Sequence, residues 1–186
     1  MSLKPSLYFI ALIPHNELAE KITLIKNDFA RNFQSNKSLK VMPHITLQNP
    51  FIRMESQETE LHLRLEDFFS KINSFKIQLS GYGCFDNEKN KVVFIDVVKN
   101  EFLFELHKKF IYFSREEMNF SNKETSYAYH PHITVASKDL SADQFIKAWG
   151  KYKSKTFEGI FTADSVYLLK HNFRNWDVLS KFDLRK

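Results

Sequence analysis

The sequence predicts a mixed fold of helices and strands in two related lobes that share one cleft. Three observations carry that reading. The segment Pro43-His44-Ile45-Thr46-Leu47 returns as Pro131-His132-Ile133-Thr134-Val135, and the copies lie close to half of the 186 residues apart. Apolar spacing elsewhere switches between the short period of strands and the longer period of helices. No low-complexity linker divides the halves, and a chain of this length fits one domain with a real core.

The elements follow in order. Leu7 to Ile13 is a continuous apolar run closed by Pro14, which reads as a buried strand. Leu18, Ile22, Ile25, Phe29 and Phe33 recur at helical spacing, so 16–34 forms an amphipathic helix. A polar turn over 34–38 leads through Leu39–Met42 to the first His strand, which Asn49-Pro50 ends. Leu61, Leu65, Phe68 and Ile72 mark a helix over about 56–72. The first lobe therefore reads strand–helix–strand–helix.

Residues 75–79 alternate as a strand, after which Gly81 and Gly83 loosen the chain. Val92–Val98 is the next strand, and the polar turn Asp86–Asn90 makes the two an antiparallel hairpin. Phe102, Leu106, Phe110 and Phe113 mark a helix over about 100–117. A polar loop over 119–130 precedes the second His strand. Ser141 with Gln144 reads as a capping box opening a short helix to about Trp149. Strands Phe157–Phe161, Ser165–Lys170 and Trp176–Leu184, antiparallel, complete the chain.

Net charge is +5 with a pI near 9.1, which favours anionic partners such as nucleotides or RNA. The excess is spread along the chain, so it acts as an electrostatic bias and not as a tight nucleic-acid patch. The one cysteine, Cys84, cannot form an internal disulfide and suits a reducing cytoplasm as inert packing. The apolar run near the N-terminus is too short to span a membrane, and no signal-peptide cleavage pattern follows it. A cytoplasmic protein without a membrane partner, monomeric, is the expectation. Nineteen Phe residues imply an aromatic core.

The repeated motif carries the chemistry. Branched aliphatics around each His favour an extended strand, where residues two apart share a face. His44 and Thr46 then face one way, about 6.6 Å apart, and Ile45 and Leu47 face the core; His132 and Thr134 repeat this against Ile133 and Val135. One neutral imidazole can take a proton from a nucleophilic hydroxyl or water, and one protonated imidazole can give a proton to a leaving oxygen. The Thr hydroxyls can donate to non-bridging oxygens of a phosphate as charge builds there. A structural duplication without function, or a solvent-facing His-Thr pair in each strand, is the plainer alternative. Zinc is disfavoured because neither motif carries a carboxylate or thiol at ligand spacing. No Gly-x-Ser-x-Gly elbow and no Gly-rich phosphate loop occur in a chain with only four Gly.

With both His-x-Thr-x-aliphatic motifs in place, the chain resembles the 2H phosphoesterase superfamily, which includes the 2′-5′ RNA ligase-like proteins and cyclic phosphodiesterases. The resemblance extends to the opening strand Leu7–Pro14 and to the closing segments Val166–Leu169, Trp176 and Phe182–Leu184. It implies an α+β, bilobal fold of two antiparallel sheets with flanking helices, related by a pseudo-two-fold axis around a central cleft. It also implies metal-independent hydrolysis or transesterification, with no cofactor, at a 2′,3′-cyclic phosphate or 2′-5′ linkage of nucleotides or RNA ends. By match, His44 and His132 become the acid–base pair, in unassigned order, and Thr46 and Thr134 the phosphate donors. A bell-shaped pH–rate profile around neutrality is then expected. An ATP-driven ligase would need a nucleotidyl-accepting lysine motif, which is not seen. A non-catalytic nucleotide or RNA-end binding module on the same fold is the alternative.

Further candidates concern the substrate. Phe51, Phe85 and Tyr167 are candidate base-stacking residues, with core packing as the plainer role. Tyr129 and His130 flank the second motif and would shape the rim. His130 has no counterpart in the first copy, where position 42 is Met, and reads as a surface residue. Arg53 is a candidate phosphate contact, although a solvated charge is the plainer reading. His15, His62, His107 and His171 read as surface or helix positions.

Overall fold

The computed structural model describes residues 4–88 and 90–186. In chain order the elements are β1 (Pro5–Leu12), α1 (Asn16–Phe33), β2 (Ile45–Met54), α2 (Glu58–Phe69), β3 (Phe75–Asp86), β4 (Lys91–Val97), α3 (Glu101–Met118), α4 (Asn122–Thr125), β5 (His132–Ala136), α5 (Ala142–Tyr152), β6 (Glu158–Ala163), β7 (Ser165–His171) and β8 (Trp176–Asp183). A 3₁₀ turn over Lys37–Lys40 precedes β2. No helix among the described residues is long and apolar enough to cross a membrane.

The strands form one antiparallel sheet of eight, in the order β6-β3-β4-β5-β2-β1-β7-β8. This corrects the expectation of two sheets. The join is narrow: β2 and β5, the two His strands, meet through the pair Ile45–Ile133. Pairing between strands so far apart in sequence depends on tertiary packing, which local periodicity does not report.

Alternation along the central strands sorts residues between two faces. Tyr8, Ile10 and Leu12 of β1, Ile45 and Leu47 of β2, and Ile133 and Val135 of β5 are fully buried in the main core, with Phe29 of α1, Leu65 and Phe69 of α2, and Phe110 of α3. Each such buried aromatic contributes about 1.5–3 kcal/mol. Phe9, Ala11 and Ile13 point to the opposite face and pack with Tyr167 and Leu169, against Val41, Met42 and Trp176. Burial on both faces explains the unbroken apolar run of β1.

Two strands run further than expected. Pro50 does not end β2; Asn49 and Pro50 together stand opposite the single residue Phe9. That bulge accommodates a residue with no N–H to offer the ladder. Gly81 and Gly83 likewise lie inside β3. Ser80 and Gly81 bulge against Asp96, and Gly81 has the left-handed φ of 70° that such a bulge uses. The β3–β4 hairpin is antiparallel. The loop over 119–130 contains α4, whose N-cap Ser121 and Glu124 form a reciprocal capping box.

Candidate active site

The sheet face opposite the helices carries both repeats. His44, Thr46, His132 and Thr134 are all half-buried, while the aliphatic residues between them are buried. Antiparallel pairing of Ile45 with Ile133 turns His44 towards Thr134 and Thr46 towards His132 on the facing strand.

Each imidazole is held the same way. His44 Nδ1 lies 2.8 Å from the carbonyl of Met42, and His132 Nδ1 lies 2.7 Å from the carbonyl of His130. A carbonyl only accepts, so Nδ1 donates in both rings, and in the neutral ring Nε2 keeps the lone pair. A phenylalanine from the neighbouring strand supports each ring: Phe9 of β1 at 4.9 Å from His44, and Phe94 of β4 at 4.8 Å from His132. The ring of Phe94 fits because residue 83 is glycine; a Cβ there would come within 2.3 Å of it.

The electrostatics of the two rings differ. Burial pushes the His44 imidazole down to about 4; the positive charges of Lys26 and His132 act the same way, and the Met42 carbonyl opposes them. Burial also lowers His132, with His130 acting alongside it. Here the His130 carbonyl and the Asp96 carboxylate oppose the shift, and Asp96 is the residue opposite His132 in the β4–β5 ladder.

Lys26 is the residue that sequence reasoning missed. It is 1% exposed on α1. Its ammonium donates to the carbonyls of Ser38, at 3.1 Å, and Val41, at 2.9 Å, and so fastens the 3₁₀ turn. Burial pushes its pKa down to about 8. The available signal was its spacing: Ile22, Lys26, Phe29 and Phe33 form one buried stripe of α1.

His44, Thr46 and Thr134 line a cavity of about 250 Å³. One wall is aromatic, made by Phe9, Trp176 and His171. The other is basic, made by Lys37, Lys40 and Lys138. None of the lining side chains is acidic. Trp176 packs edge-on against Phe9 at 4.6 Å and lies 5.0 Å from His171. His171 therefore belongs to the site wall. His132 stands beside this cavity, among Phe85, Phe94 and His130.

The remaining candidates are dispersed. Phe51 is 2% exposed and packs against Tyr8 and Phe120 in the core, where a base cannot reach it. Phe85 lies edge-on to His132 at 5.3 Å. Tyr129 stacks on His107 at 3.7 Å, away from the cavity wall, and its buried hydroxyl has no partner among the described residues. Tyr167 is buried on the site face beneath that wall. Arg53 pairs with Glu124 at 2.8 Å and lies over the ring of Phe120. His130 is exposed. His107, read as a surface or helix position, lies on α3 and is buried within reach of Tyr127, because its stripe faces the sheet. Among the described residues, no group of three or more His, Cys, Asp or Glu side chains is placed to hold a metal ion.

Comparison with known proteins bears on the family and the fold. The family model of the 2′-5′ RNA ligase superfamily matches residues 14–174. A Bacillus cytotoxicus protein named "Putative phosphoesterase" is 30% identical over 181 residues, covering 95% of this chain and 96% of that one. The apo crystal structure of Escherichia coli LigT superposes with a TM-score of 0.69 at 17% identity, covering 98% of this chain and 99% of LigT. LigT complexed with 3′-AMP superposes with a TM-score of 0.67 at 18% identity, covering 98% and 100%.

Proposed function

The chain belongs to the 2′-5′ RNA ligase superfamily, and from that premise we propose that it is a phosphodiesterase of nucleotide or RNA ends, acting on a 2′,3′-cyclic phosphate or a 2′-5′ linkage without a metal ion. The observation that carries this reading is the matched tethering of two imidazoles, each by Nδ1 to the carbonyl two residues upstream, with Nε2 left to exchange a proton.

The roles follow from the surroundings. Lys26 behind His44 favours the neutral ring, so His44 Nε2 takes the proton from the attacking water or hydroxyl. Asp96 opposite His132 favours the protonated ring, so His132 Nε2–H gives its proton to the departing ribose oxygen. One P–O bond forms and one breaks, and the two rings exchange protonation states. Thr46 and Thr134 donate to the non-bridging oxygens as negative charge grows on them. The aromatic wall suits a nucleobase, which supports a nucleotide substrate; LigT, on the same fold, is known in complex with 3′-AMP.

The test is turnover of 2′,3′-cyclic nucleotides by the wild type and by His44→Ala and His132→Ala. The wild type turns the substrate over in excess EDTA. Each variant loses activity by about a hundredfold or more while keeping its circular dichroism spectrum. Full activity in either variant refutes the assignment. Tight binding without any turnover by the wild type identifies a binding module instead.

A further inference from the structure

The basic wall is not needed for the reaction as described. Lys37 and Lys40 belong to the 3₁₀ turn before β2, and Lys138 follows β5, so the three come from both sides of the join between the His strands. All three are exposed. The carboxylate that follows Lys138 in the chain, Asp139, is already committed: it accepts from the backbone N–H of Asn36 at 2.7 Å and of Lys37 at 2.9 Å, and from the Ser35 hydroxyl at 3.0 Å. Those bonds tie the Lys138 loop to the Lys37–Lys40 turn. Between the lysines lies Ser38, 5% exposed, whose hydroxyl has no partner among the described residues. Ser38 lines the cavity beside Lys37 and Lys40, and a hydroxyl can donate to an anion. Three ammonium groups, an unpartnered hydroxyl and no acid among the lining side chains favour an anion in the part of the cavity that the lysines wall.

We propose that Lys37, Lys40 and Lys138, with Ser38, form a second anion subsite that binds the phosphate on the 5′ side of the reacting nucleotide. This rests on the phosphodiesterase reading above. The reacting phosphate sits at the His–Thr centre and the base against Trp176. The remaining charged group of a nucleotide chain end is the 5′ phosphate, which in RNA is also the link to the preceding nucleotide. The preferred substrate is therefore an end carrying that phosphate, and a bare nucleoside cyclic phosphate is the poorer one.

The experiment compares kcat/KM for adenosine 2′,3′-cyclic phosphate, its 5′-phosphorylated form and a dinucleotide ending in a 2′,3′-cyclic phosphate. Each is assayed with the wild type and with the triple variant Lys37→Gln, Lys40→Gln, Lys138→Gln. The wild type prefers the two phosphate-bearing substrates by roughly tenfold or more, and the preference falls towards one in the variant. A gain for the dinucleotide as well as the 5′-phosphorylated nucleotide assigns the subsite to a chain; a gain for the latter alone assigns it to a terminal phosphate. A wild-type ratio near one, or a ratio the variant leaves unchanged, overturns the subsite while leaving the phosphodiesterase reading intact. If none of the three is turned over, that reading fails, and calorimetry decides the subsite alone. Adenosine 3′,5′-bisphosphate must then bind the wild type about tenfold more tightly than 3′-AMP, and the variant must lose the difference. Equal affinities overturn it.

Discussion

Phe94 lies over the backbone of Gly83, where a Cβ would meet its ring at 2.3 Å. The same ring is 3% exposed and packs against His132 at 4.8 Å. A methyl group at position 83 therefore has to move a buried aromatic that is hemmed in by Phe85, His130 and the His132 imidazole. Gly83→Ala should cost about 1–3 kcal/mol of stability and lower kcat by roughly tenfold or more by misplacing His132. Chemical denaturation and steady-state kinetics check this, and Phe94→Leu in the Gly83→Ala background should recover part of both losses.

The pH–rate profile should be shifted to the acid side of neutrality. His44 must be deprotonated to act as base, and burial first, then Lys26 and His132, push it down to about 4. The acid limb of kcat/KM therefore lies near pH 4. His132 must be protonated to act as acid and is also lowered, chiefly by burial, so the other limb falls below the 6.5 of an ordinary histidine. The maximum then lies between these limbs, not around neutrality. In kcat both limbs move upward, because a bound phosphate favours the protonated rings. A kcat/KM profile centred above pH 7 contradicts the assigned roles.

Lys26→Met removes a positive charge that opposes protonation of His44 and releases the carbonyls of Ser38 and Val41. The His44 pKa rises, so the acid limb of kcat/KM moves to higher pH. KM rises on the order of tenfold as the turn that walls the cavity loosens. Lys26→Arg keeps the charge and should keep the limb in place. A structural role alone would raise KM without moving the limb.

His107 offers a stability prediction. Burial lowers its pKa to about 4, from 6.5. The unfolded chain therefore binds the extra proton between those values and the folded one does not, so stability falls as pH drops from about 6.5 towards 4. His107→Phe keeps a ring to stack on Tyr129 and removes the titration. Its melting temperature should fall less than that of the wild type between pH 7.5 and 5, as read by thermal denaturation.

The parts legible in the sequence are those set by local spacing. The two-residue alternation of His44-Ile45-Thr46-Leu47 and its copy told which residues enter the core, and the periods of Ile22–Phe33 and Phe102–Phe113 located α1 and α3. What was illegible depends on which distant strands adjoin. Nothing around Pro50 announces that a bulge opposite Phe9 will carry β2 past it. Nothing near His44 names Phe9 as its support, because that contact joins two neighbouring strands far apart in sequence. Two sheets were expected because the resemblance to the 2H phosphoesterases implies them, while the joining pair Ile45–Ile133 forms only when the halves pack. Lys26 was the opposite case: its position on an apolar stripe was visible and went unread.

The meeting of β2 and β5 through Ile45 and Ile133 means that backbone bonding does little to fix the gap between the two reactive arms. That gap is set from beneath, by the aliphatic side chains that fill the floor under it. Shaving one methyl group from that floor, as in Ile133→Val, alters the grip on a phosphate without touching any group that handles it, and evolution can retune the spacing there while every reactive side chain stays the same.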